Sequence, residues 1–223
     1  MLLLLLAPFT QSYGEIHNPD WDGIWRDTGI IVGSQFAVTG VLLLMPESVS
    51  RWSNEQKRNS SEKFASNFSH PVIDKDKFYI NYLLHPYWGA AYYTRARERG
   101  LDTAQSFVYS TMLSTIYEFG IECIFEKPSI QDLIVTPSVG SLLGAFVFEP
   151  LRDSIRRKAE LRWYDHVVLV ATDPIGVLSQ GLENVFDIKP AITIDYSQER
   201  NTSLQTAPSH SNRFDVVLTF PLN

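Results

Sequence analysis

Between Thr28 and Met45 the chain reads TGIIVGSQFAVTGVLLLM, eighteen residues without a charged side chain. That length is at the lower edge for a membrane-spanning helix, which needs about 20 apolar residues. Gln35 and the threonines keep a buried core helix open as the alternative. Pro46 follows, and the charged stretch ESVSRWSNEQKRNSSEKFASNFSH predicts a solvated helix that stops near Ser69 to Pro71.

The next helices carry clearer punctuation. HPYWGAAYYTRARERG places Pro86 in a first helical turn, where its missing N–H is harmless, and Gly100 at the end. Asp102 with Gln105 forms a capping-box pattern that opens a helix from 103 to about 126, broken by Lys127 and Pro128. Ser129 with Asp132 is a second such pattern, opening a helix to about Phe148 that Pro137 is expected to kink. Gly140 and Gly144 either admit a neighbouring helix closely or relax the kink. EPLRDSIRRKAELRWYDH reads as a basic amphipathic helix from Pro150, and Asp173 with Pro174 opens a last one. After residue 186 the period changes. Ile192, Ile194 and Tyr196, then Phe214, Val216, Leu218 and Phe220, alternate with more polar neighbours, which predicts two strands pairing as a hairpin. The expected fold class is therefore mainly α: a membrane-associated helical bundle over residues 15–186, with a short β-hairpin over 187–223.

One stripe inside this pattern is unusual. Thr111, Ser114, Thr115, Glu118 and Glu122 share about a third of the helix circumference, opposite Met112, Ile116, Phe119 and Cys123. The polar face is hydroxyl and carboxylate, without the mixed charges of an ordinary solvated surface. A helix of 24 residues is about 36 Å long, bilayer length, and in lipid such a face must turn into a bundle or a wet cavity. His85, Tyr92, Tyr93 and nearby arginines are the candidate partners. If the two central helices form an antiparallel hairpin, Arg95, Arg97 and Arg99 meet Arg152, Arg156 and Arg157 at one end. Such a basic rim suits anionic lipid headgroups at about 1 kcal/mol per residue. A positive-inside pattern or a plain solvated face gives the same rim.

Composition narrows the classes. A net charge of −6 and the absence of basic–aromatic runs argue against nucleic acid. The single cysteine, Cys123, allows no internal disulfide and reads as a small buried residue. Residues 1–14 (MLLLLLAPFTQSYG) resemble the later part of a signal peptide, with an uncleaved anchor as the alternative. No cysteine follows that would anchor a lipoprotein.

HPYWGAAYYTRARERG together with YEFGIECIFEKPSIQDLIVTPSVGSLLG resembles the bacterial envelope family named domain of unknown function 3943. More distantly, the helical glutamate, the Ser-x-x-Asp turn and the Gly-x-x-x-Gly helix are similar to VanZ-like membrane proteins. The resemblance covers about residues 75–150 and implies a compact helical unit in the envelope, without an activity to transfer. It also implies an outer-membrane or periplasmic setting, since in some relatives the helical part precedes a β-barrel. Two strands are too few for one chain to close one.

The expected function is a non-catalytic bundle that binds membrane lipid or an envelope subunit, with no cofactor; oligomeric state is not readable. Arg95, Arg97, Arg99, Arg152, Arg156 and Arg157 are its candidate lipid contacts. The alternative is an enzyme on a lipid or envelope substrate. Glu118, Glu122, His85 and Asp132 would then hold a divalent cation, or one glutamate would act as general base. No GxSxG, HExxH or phosphate-binding glycine loop accompanies them.

Overall fold

The computed structural model describes residues 18–50, 53–58, 60–73, 78–186, 191–200 and 210–219. The signal-like residues 1–14 lie outside them. The protein is mainly helical. Helix α1 (Trp21–Leu44) is followed by three shorter helices, α2 (Glu47–Ser50), α3 (Asn54–Arg58) and α4 (Ser60–Phe68). The bundle proper comprises α5 (His85–Glu98), α6 (Thr103–Ile116), α7 (Ile130–Leu143), α8 (Glu149–Arg156), α9 (Trp163–Thr172) and α10 (Pro174–Phe186). At the C-terminal end β1 (Ala191–Arg200) lies antiparallel to β2 (His210–Thr219), with Ala191 opposite Thr219.

Helix α5 is the axis of the bundle. From Gly89 to Ala96 every residue is buried, because α6 and α7 cover it on two sides and α1 and α10 on others. The closest approach is between α5 and α7. A Cβ on Gly140 would stand 2.6 Å from Gly89 Cα, and a Cβ on Gly144 would stand 2.5 Å from the Tyr93 ring. The two glycines therefore admit a helix, which decides between the alternatives left open by the spacing. Helix α5 ends as Gly100 predicts: the residue takes φ 86°. Gly100 N–H then bonds Arg97 O and Leu101 N–H bonds Ala96 O, a Schellman closure.

Three helical expectations are corrected. The helix expected over 103–126 stays α-helical only to Ile116, then widens into a π turn (Tyr117–Ile121) and tightens into a 3₁₀ turn (Glu122–Ile124). Pro86 and Pro150 do not begin new helices. Each continues one through a π turn, Ile80–Leu84 before Pro86 and Gly144–Phe148 before Pro150. A proline ring crowds the carbonyl four residues back, and a widened turn upstream relieves that contact without stopping the helix. Pro137 lies inside α7 and does not end it.

Polarity is distributed inside out. On α6, Ser106, Ser110, Ser114 and Glu118 are buried while Phe107 and Val108 are exposed. On α7, Asp132, Thr136, Gly140 and Gly144 face inward at four-residue spacing, while Ile134, Val139, Leu142 and Phe146 face out. Helix α1 shows Phe36, Val41 and Leu44 to the exterior, the last 88% exposed. Two helical stretches, Trp21–Leu44 and Ile130–Arg156, are long and apolar enough to cross a membrane.

Candidate functional site

The turn between α6 and α7 is built by Glu118. Ser129 caps α7 by accepting a bond from Asp132 N–H at 3.1 Å, as the capping pattern requires. The reciprocal half is supplied from elsewhere in the chain: Ser129 N–H donates to Glu118 Oε2 at 2.8 Å. The π turn is what swings Glu118 inward to reach it, and its residue is 1% exposed. A short strap pins the same turn, with Val72 N–H bonding Pro128 O and Ile130 N–H bonding Val72 O, both at 2.9 Å. Asn67 Nδ2 adds a bond to Cys123 O at 3.0 Å, and Cys123 is buried and free.

His85 and Asp132 arrive at the same place from α5 and α7. His85 Nδ1 is 3.2 Å from Thr136 Oγ1 and 4.0 Å from Asp132 Oδ1. One donor atom each from His85, Glu118 and Asp132 lies within 4.8 Å of the others. Glu122 stands next to them on the 3₁₀ turn, and its Oε2 is fully buried without a hydrogen-bond partner. Burial pushes the Glu122 carboxyl well above the usual range, and the negative charges of Glu118, Glu126 and Asp132 push it further. The four candidates are brought together as a cluster, with Thr136 as a member that sequence reasoning missed. Its only signal was its place one turn after Asp132.

The cluster borders a cavity of about 730 Å³. His85, Thr136, Tyr117, Glu122 and Glu126 form its polar end. Ile31, Val38 and Leu42 of α1, with Trp88, Ile121 and Ile175, form apolar walls. The volume and lining are those of a site for a small, mainly apolar molecule with a few convergent polar contacts. That α1 closes this cavity was not legible in its uniform apolar run.

Five of the six arginines gather at the far end of α5 and meet carboxylates there, while Arg157 donates to Asp153 O. Arg95 bonds Asp27 and Asp173, and Arg99 bonds Asp20 and Asp27. Arg97 forks onto Glu149 at 2.8 and 3.0 Å. Arg152 and Arg156 share Glu98, and Arg152 also donates to Leu169 O and Thr172 Oγ1. Asp27, fully buried, takes a further bond from Ser179 Oγ at 2.7 Å. Arg95 and Arg152 are buried in this network; Arg156 and Arg157 are exposed. Asp27 and Asp173 as network centres were missed, since Arg95, their shared partner, lies 68 and 78 residues away in the chain.

The family model described as "Domain of unknown function (DUF3943)" matches residues 70–175. Residues 70–175, a little under half of the chain, are similar to that family. The DUF3943 segment begins at the Val72 strap and ends at α10, so it contains His85, Glu118, Glu122, Asp132 and the arginines, while α1 and Asp27 lie before it. No curated protein and no solved structure matches the chain.

Proposed function

We propose that this protein is a membrane-associated helical bundle of the bacterial envelope that holds one lipid-like molecule in its cavity without transforming it. The observation that carries the reading is the inverted polarity. Hydroxyls, carboxylates and arginines are buried beside an apolar cluster that includes Ile31, Tyr92 and Leu113, while valine, leucine, isoleucine and phenylalanine face out on α1, α6 and α7. In water such a surface is a liability; in hydrocarbon it is the stable arrangement. The apolar walls take a tail and the polar end takes a head that donates hydrogen bonds to Glu122 or Glu126. Headgroups of the surrounding membrane contact Arg156 and Arg157, which the ion-pair network leaves facing out. We place the protein on the outer-membrane or periplasmic side.

The test is fractionation followed by native mass spectrometry of the full chain purified in mild detergent. A lipid retained by the native chain and lost in Thr39→Trp, which fills the cavity from α1, is the expected result. A soluble chain, or a lipid retained equally by both, overturns it. The cluster itself favours a second reading, an enzyme on a lipid or envelope substrate that uses Glu122, whose carboxyl is pushed upward by burial, in acid–base catalysis. Glu122→Gln separates the two: retained lipid and unchanged phenotype support binding, whereas lost function in a folded chain supports catalysis.

A further inference from the structure

We propose that His85, Glu118 and Asp132 form a binding site for one divalent transition-metal cation, in the class of Zn²⁺ or Mn²⁺, that ties α5, the π turn after α6 and the first turn of α7. Three observations carry it. The first is convergence: three donors from three separate elements lie within 4.8 Å of one another, two of them fully buried carboxylate residues. One imidazole with two carboxylates is a donor set for Zn²⁺, Mn²⁺ or Fe²⁺, whereas Mg²⁺ and Ca²⁺ favour oxygen alone. The second is that two of the donors are held by a neighbour. Glu118 is anchored through its other oxygen by Ser129 N–H, and the Thr136 hydroxyl keeps His85 Nδ1 turned toward α7. Such outer contacts orient metal ligands.

The third lies beside the trio. Glu122 Oε2, on the adjoining wall, is buried and accepts no hydrogen bond. A buried carboxylate oxygen left in this way is costly unless a proton or a cation meets it. A cation at the trio supplies that charge from one turn away. Glu118 and Asp132 do not line the cavity, so the metal sits behind its polar wall and reaches the cavity through His85. The site therefore braces the wall, and it stands whether or not the cavity holds a lipid.

Isothermal titration of the full chain, stripped with EDTA and kept in detergent, tests this with ZnCl₂, MnCl₂ and MgCl₂. One saturable equivalent of Zn²⁺ or Mn²⁺ is expected, with no Mg²⁺ binding at the same concentrations. His85→Gln and Asp132→Asn should each weaken it by at least about tenfold. Thr39→Trp should leave it unchanged, so that loss of lipid and loss of cation are read separately. Should either ligand variant fail to fold, the native chain decides: added Zn²⁺ should raise its unfolding temperature and EDTA should reverse the rise. No saturable binding, or binding unchanged in both ligand variants, overturns the site, as does an unfolding temperature indifferent to both additions.

Discussion

The two ends of α5 solve opposite problems. At its C-terminal end Arg95, Arg97, Arg99, Arg152 and Arg156 meet Asp20, Asp27, Asp173, Glu149 and Glu98, so charges of both signs cancel. At its N-terminal end His85 meets Glu118, Glu122 and Asp132, where acids gather and the Glu122 carboxyl is pushed well above its usual range. A cancelled network fixes the packing of helices and leaves little for a ligand to do. An acid-rich cluster beside a cavity is completed by a proton, a cation or a hydrogen-bonding head. Burial is similar at both ends, so the difference lies in charge balance.

The contrast is broken or sharpened by substitution at each end. Asp27→Ala should have the largest effect, about 3–5 kcal/mol of lost stability, because it strands Arg95 and Arg99 beside each other. Glu122→Gln should cost far less, since the amide keeps the shape and removes a charge that burial and the neighbouring acids disfavour. Chemical unfolding of both in one detergent measures this, and equal losses would end the distinction. Glu118→Ala should cost about 1–3 kcal/mol by orphaning Ser129 N–H, and Glu118→Gln, which keeps an acceptor, should recover most of it. Ser129→Ala should cost about 1 kcal/mol, the usual loss of an N-cap; an unchanged unfolding temperature would mean that α7 does not depend on this cap.

The smallest effect concerns pH at the balanced end. Burial raises the Glu98 pKa, but the hydrogen bonds and charges of Arg156 and Arg152 outweigh it, so the net shift is downward. A lowered pKa contributes stability that is present above the unfolded value, about 4.3, and is lost as pH falls through the folded value. The unfolding temperature of the native chain should therefore fall between about pH 5 and pH 3 more steeply than that of Glu98→Gln. Parallel curves would show that the pairs on Glu98 are too well solvated to matter.

Local rules were legible wherever a residue acts on its own backbone. Asp102 with Gln105 forms the reciprocal capping box that their spacing predicts, with bonds of 2.8 and 3.0 Å. Gly100 and Ser129 likewise mark helix ends as expected. Periodicity placed the acidic stripe on one face, and Ser114 and Glu118 do turn inward, whereas Thr115 is exposed and Thr111 and Glu122 are half-buried. The stripe also named His85 and Asp132 as companions, because cluster chemistry constrains which residue types suffice.

The π turns, the partner of each arginine and the closure of the cavity by α1 were not legible, for a common reason. Each depends on contacts between segments far apart in the chain, such as Asp27 with Arg95 or Glu118 with Ser129. Sequence by itself determined where helices begin and end and which faces are polar, since caps and periodicity act within a few residues. Only the tertiary structure decided which polar groups satisfy one another. Pairing energies fall steeply beyond hydrogen-bond distance, and that distance is set by how whole helices pack, here by Gly89 against Gly140.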